Sequence, residues 1–182
     1  MARARANRSE PPAAGERARD IRVVMDGLRR VVRALRLTAR HAERSAGISG
    51  AQLFVLQSLA DEAASSLNDL ADRTLTDQSS VSVVVKRLTA RKLVARKESA
   101  IDARRVELSL TPAGRRLLAR CPEPTQARLL ASLRRLDATE LSDITKGLGA
   151  LVREMGIEDA AAGMFFDDDT KPPPKKRKAA RR

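Results

Sequence analysis

The chain has 182 residues and 19.9 kDa, enough for one domain with tails, and 42% hydrophobic residues suffice to fill a core. Lys and Arg number 36 against 23 Asp and Glu, a formal charge of +13 and a pI of about 11.2, which points to a polyanionic partner. A single cysteine, Cys121, forms no disulfide within the chain, and one His with one Cys does not make a four-ligand zinc site, so a secreted disulfide scaffold and a zinc finger are both excluded.

No segment approaches the roughly 18 uninterrupted apolar residues of a membrane span, and the basic start has no apolar run behind it. The expectation is a soluble protein that stays where it is made and has no membrane partner. Phe54, Phe165 and Phe166 are the only aromatic residues, too few for the stacking platforms of single-strand and RNA binders, so duplex DNA is the favoured polyanion.

Charge is concentrated at the ends. Residues 1–19 carry five Arg and two Glu, and residues 171–182 carry seven Lys or Arg and no acid, which leaves +3 for residues 20–170. The composition predicts a disordered basic head over 1–19 and a disordered tail over 159–182, acidic at Asp167, Asp168 and Asp169 and then basic. That acidic run either folds back on the basic tail or, as charge blocks usually do, stays solvated. The tail reads more readily as a non-specific DNA tether than as an import signal.

The domain is expected over 20–158. From Asp20, Ile21, Val24, Met25, Leu28, Val31, Val32 and Leu35 recur at helical spacing, and Gly47 stops that helix. Ser49-Gly-Ala-Gln52 has the form of a capping box opening a second helix through Leu59. Ser66 caps a short third helix ending near Thr74, and Thr76 is expected to cap a fourth, which together make a helix-turn-helix.

In the fourth helix Val81, Val84, Val85 and Leu88 share one side. The other side presents Ser79, Val83, Lys86, Arg87 and Ala90, flanked by Ser80 and Ser82. Small, hydroxylated and basic side chains let a helix lie deep in a major groove. Thr76 and Gln78 at its start join Ser79, Ser80, Ser82, Lys86 and Arg87 as candidate DNA contacts.

Beyond Leu93 the period changes to two. Val94 to Glu98 pairs with Val106, Leu108 and Leu110 in a hairpin whose turn, around Ala100 to Arg104, carries Asp102, Arg104 and Arg105. A helix-turn-helix followed by a basic hairpin is a winged helix, so the fold class is mainly α with a small β-hairpin wing. Residues 66–111 form the DNA-binding part, in which Asp77 to Arg105 hold eight Lys or Arg and three acids.

Thr111-Pro112 opens a helix by an N-cap with proline at its first position. Pro122 and Pro124 break it near Cys121, and it resumes through Leu129, Leu130, Leu133 and Leu136. Asp137-Ala-Thr-Glu140 caps a last helix with the stripe Leu141, Ile144, Leu148, Leu151, Val152 and Met155. The N-terminal helix, 20–46, and the C-terminal helices, 112–156, carry more apolar face than one compact winged helix covers, which predicts a dimerisation region and a homodimer.

The stretch SVSVVVKRLTARKLVARKESAIDARRVELSLTPAGRRLL resembles the MarR family of bacterial winged-helix transcription regulators. The recognition-helix pattern ends in RL and KLV, and the D-x-R of Asp102 and Arg104 is followed by the L-x-L-T-x-x-G of Leu108, Leu110, Thr111 and Gly114. The resemblance covers roughly residues 20–156. It implies a cytoplasmic homodimeric repressor, nucleoid-associated through DNA, on a pseudo-palindromic operator, with repression commonly relieved by a small aromatic or phenolic effector.

By the same resemblance Arg104 is the minor-groove arginine of the wing, oriented by Asp102, with Arg105 beside it. Val83 departs from the basic residue of many members, so thymine methyls and A·T-rich half-sites are its expected readout. His41 and Phe54 are candidate effector-pocket residues, with a surface role for His41 and a core role for Phe54 as the simpler readings. No catalytic motif, cofactor or metal is expected. Asp61-Glu62 read as helix-end charges, and Cys121 has no resolving cysteine for redox sensing.

Overall fold

A computed structural model describes residues 14–98, 106–160 and 162–167. The chain forms two compact units, residues 1–34 and 35–182. Helix α1 runs Ala14–Ala46, followed by α2 (Gly50–Asp61), α3 (Leu67–Thr74), α4 (Gln78–Ala90), β1 (Val94–Glu98), β2 (Val106–Leu110), α5 (Pro112–Leu118), α6 (Thr125–Arg135) and α7 (Ala138–Glu154). The mainly helical, winged-helix class is therefore the observed one.

In the first unit the described residues are helical from Ala14, earlier than the expected Asp20. Ala14, Glu16, Arg17, Ala18 and Arg19 are strong helix formers, and Glu16 in the first turn complements the helix dipole. Residues 14–19 thus belong to α1 and not to a disordered head; residues 1–13 lie outside the described set. Ile21, Val24, Met25, Leu28, Val31 and Val32 are 36–56% exposed.

The second unit is built around α2. The Ser49 side chain accepts from the Gln52 N–H and the Gln52 side chain accepts from the Ser49 N–H, so the expected box is formed. Gly47 at φ +61° ends α1 in the left-handed region where glycine carries no side-chain penalty. Ala51, Gln52, Leu53, Phe54, Val55, Leu56 and Leu59 are all buried, and the apolar ones among them meet Leu70 and Ala71 of α3, Val81, Val84, Val85 and Leu88 of α4, and Leu108 and Leu110 of β2 in one core. Fully burying each large apolar side chain contributes about 1.5–3 kcal/mol.

The strands pair antiparallel, Val94 opposite Leu110 through Glu98 opposite Val106. A feature the period-two pattern does not announce is Ala64, which bridges to Leu108 on the far side of β2: its N–H donates to the Leu108 carbonyl at 2.9 Å and its carbonyl accepts from the Leu108 N–H at 2.7 Å. A single residue has no period to read.

The root of the hairpin is tied to α5. Thr111 caps that helix by accepting from the Gly114 N–H, with Pro112 in the first turn, while its own hydroxyl donates to the Lys92 carbonyl at 2.8 Å and its N–H to the Leu93 carbonyl at 3.1 Å. A Cβ on Gly114 would stand 2.2 Å from the Leu93 oxygen. Beyond the break at Pro122 and Pro124, Ala127 and Leu130 of α6 lean on the core.

Helix α7 starts at the expected Asp137–Glu140 box and buries no residue of its own. Leu141, Ile144, Leu148, Leu151 and Met155 remain 37–60% exposed. No helix among the described residues is long and apolar enough to cross a membrane.

The close approach at Gly114 predicts that Gly114→Ala lowers stability by about 1–3 kcal/mol, because backbone and not a flexible side chain must yield. Urea unfolding should show a lower midpoint at an unchanged slope.

Candidate nucleic-acid interface

Helix α3 begins at Ser66, whose side chain accepts from the Asp69 N–H. It ends at Leu75, held at φ 49° with its N–H on the Ala71 and Asp72 carbonyls. A leucine in the left-handed region is strained by the crowding of its Cβ against the carbonyl, and that strained residue sets the sharp turn between α3 and α4. Arg73 anchors the same region by donating to the Glu62 carbonyl at 2.9 Å.

The capping residue of α4 is Asp77 and not, as expected, Thr76. The Asp77 carboxylate accepts from the Ser80 N–H at 2.9 Å, and the Thr76 hydroxyl turns back to the Thr74 carbonyl at 3.1 Å. Two adjacent residues of capping type compete here, and the one whose oxygen reaches the N–H three residues on takes the role. Asp77 also accepts from the Ser79 hydroxyl, and from that of Ser80 at 2.7 Å. The hydrogen bond from Ser79, then those from Ser80, hold the Asp77 carboxyl at about 2, below its ordinary 3.8.

The two faces of α4 are those the spacing requires. Val81, Val84, Val85 and Leu88 are buried, while Gln78, Ser79, Ser82, Val83 and Lys86 are exposed, Val83 at 44%. Ser80 and Arg87 lie at the flank, half-buried. Ser79 and Ser80 are already engaged in the cap, so their lone pairs, and their donors only after rearrangement, are what they can offer a ligand. Arg87 is likewise engaged, its Nη1 donating to Asp167 Oδ1 at 2.6 Å. Gln78, Ser82, Val83 and Lys86 are the side chains that stand open to a groove.

Further basic residues continue this surface. Lys92 sits exposed in the turn after α4 and Arg96 and Lys97 on β1, whereas Arg91 donates to the Gly47 carbonyl at 2.7 Å and fixes the end of α4 to the loop before α2. The wing-tip residues Asp102, Arg104 and Arg105 lie outside the described residues.

Two grooves open near the helix-turn-helix. One, of about 650 Å³, is lined by Phe54, Arg73, Cys121 and Arg128 among others; a smaller and more apolar one, of about 300 Å³, is lined by Phe54, Thr74, Thr76, Leu129, Leu133 and Met164. Phe54 is 3% exposed and serves both as core and as groove wall. His41 is exposed, next to buried Ala42, and lines neither groove. Burial pushes the Cys121 thiol up against the opposing pull of Arg120, which keeps it protonated and slow as a nucleophile. No three His, Cys, Asp or Glu gather as metal ligands among the described residues.

The depressed Asp77 value stabilises the folded chain above the ordinary carboxylate range and ceases to do so as pH falls through about 2. Asp77→Asn retains a capping oxygen but does not titrate. The stability difference between wild type and Asp77→Asn should be flat above about pH 5 and should shift against the wild type from about pH 4 downward, as read by urea unfolding across pH.

Residues 46–105 match the model described as the MarR family. The HTH-type transcriptional repressor MdtR of Bacillus subtilis (strain 168) is 37% identical over 68 residues, 37% of this chain and 44% of its own length, so the chain spans less than half of that curated relative. Among solved structures, the MarR family transcription regulator SP03579 has a TM-score of 0.53 at 18% identity, over 82% of this chain and 100% of its own, a likeness of fold. Bordetella bronchiseptica BpsR, solved in connection with regulation of its DNA binding by 6-hydroxynicotinic acid, has a TM-score of 0.49 at 29% identity over 81% of this chain and 98% of its own. The helix-turn-helix and the first strand of the hairpin fall within the matched stretch, so residues 46–105 are similar to the MarR family.

Proposed function

We propose that the protein is a sequence-specific, non-enzymatic transcription regulator that binds duplex DNA as a homodimer and represses by occluding a promoter. The observation that carries this reading is the division of α4: its apolar side is buried in the core while Gln78, Ser82, Val83 and Lys86 stand exposed on a basic surface. An element held rigidly from behind and presenting small and cationic side chains in front suits a major groove. Arg104 and Arg105 are proposed to reach the adjacent minor groove, with Asp102 orienting Arg104.

The dimer reading is supported by the exposed apolar stripes of α1 and α7. A 17-residue helix with no buried residue has little to hold it in water alone, and a second copy would cover that face. Leu148→Glu should therefore yield a monomer with much weaker DNA binding and an intact winged-helix core, as read by sedimentation and circular dichroism.

For the effector, the groove at Phe54 and Leu133 offers an apolar wall of a size that accepts a small aromatic molecule, and its Thr74–Thr76 side adjoins the turn that aims α4. A ligand there would bias the aim of the helix. His41 has no part in this proposal.

Selection of bound fragments from random duplex DNA, with the full chain and with residues 1–170 at one near-physiological salt concentration, tests the central reading. A two-fold-symmetric motif retained by the shorter chain is expected, with A·T pairs opposite Val83. Lys86→Ala should weaken binding about tenfold and reduce the salt slope by about one. Binding that has no motif and disappears with residues 171–182 would instead mark an architectural protein that works through its basic tail.

A further inference from the structure

We propose that the segment 162–167 is an autoinhibitory strap across the flank of α4, in which Asp167 occupies Arg87 in the place of a DNA phosphate. The proposal rests on the DNA-binding reading above and adds regulation to the same surface. The sequence offers the acidic run two destinations, solvent or the basic tail; Asp167 also has a third, Arg87 of α4, 80 residues away in the chain.

The contact is more than one ion pair. Met164 is 7% exposed and belongs to the hydrophobic core, which anchors the strap. Gly163 lies beside Ser80, where a Cβ would stand 3.9 Å from the hydroxyl, and Phe166 lies against Gly50, where a Cβ would meet the phenylalanine Cβ at 3.3 Å. Phe166 has φ 54°, a left-handed conformation that a phenylalanine keeps only where its surroundings hold it. The strap is thus placed by packing at Met164 and Phe166, and that placement delivers the carboxylate to Arg87 at 2.6 Å with the two side chains 33% and 21% exposed.

A carboxylate and a phosphate present the same kind of acceptor to a guanidinium, an anionic oxygen taking a charge-assisted hydrogen bond. A carboxylate and a phosphate brought together at one guanidinium repel each other, so DNA and strap compete for Arg87. Apparent affinity falls by the fraction of molecules in which the strap is open. A partly exposed pair is modest in strength, which makes the expected effect a few-fold one.

The test is a double-mutant cycle on the full chain, using a fluorescent random-sequence duplex so that no operator need be known. Asp167→Asn should raise affinity about three- to tenfold, and the gain should vanish when Arg87→Gln is already present. Amide exchange over residues 162–167 in the wild type should also rise when duplex is added. An equal gain in both backgrounds would mean only the loss of a negative charge near DNA and would overturn the proposal. So would normal wild-type binding with no gain on Asp167→Asn, or exchange that duplex leaves unchanged. If neither wild type nor any variant binds duplex while all remain folded, the DNA-binding reading fails and the strap's role fails with it.

Discussion

Helix α2 is buried on nearly every side, and the rest of the winged helix is arranged by the need to cover it. Seven of its twelve residues are buried, so the two sides of the helix that one neighbour leaves open must be covered by others. Helices α3 and α4 cover part, β2 covers part, and α5 closes the remainder. The position of α4, and hence of any surface it presents to DNA, follows from an apolar requirement that has no connection with nucleic acid. Ser49 and Gln52 fix where that central helix begins, and a shift there would rotate every apolar side chain it presents by about 100° per residue.

Most of the element order was legible because its signals are local. Ser66, Thr111 with Pro112, and Asp137 with Glu140 each act within a few residues of the helix they start, and Val106, Leu108 and Leu110 declare a strand by alternation alone. The misreadings have the opposite character. Thr76 and Asp77 are both capping types, and only the direction of the chain after the strained Leu75 decides between them. Residues 14–19 were read by charge when their helix propensity is what prevails. Ala64 joins β2 without a pattern, and the Arg87–Asp167 pair joins positions 80 residues apart that no spacing rule connects. The wing residues Asp102, Arg104 and Arg105 were read by resemblance and keep that status.

The candidate site shows how a functional face is constrained by the folding demands of its own element. Ser79 and Ser80 looked available for DNA because serine is small and hydroxylated, yet the first turn of α4 uses both on Asp77. The same hydroxyls that would read a phosphate also help keep a carboxylate ionised close to it. A negative group at the entrance of α4 would repel the polyanion proposed for that face, so α4 gains its defined start at the expense of some electrostatic attraction. Lys86 and the basic residues that follow are positioned to outweigh it.

The hairpin root has a consequence for how readily the protein can change what it reads. Leu108 is tied on its far side to Ala64, and the strand ends are tied through Thr111 to Lys92 and Leu93. Glu98 and Val106 are therefore held opposite each other by a closed frame of strand pairing and capping bonds. Connections that leave such a frame tolerate insertion, shortening and exchange better than the frame itself does. A lineage, or an engineer, can vary the chain that joins the two strands while Leu108, Thr111 and the buried residues around them hold the frame as it is.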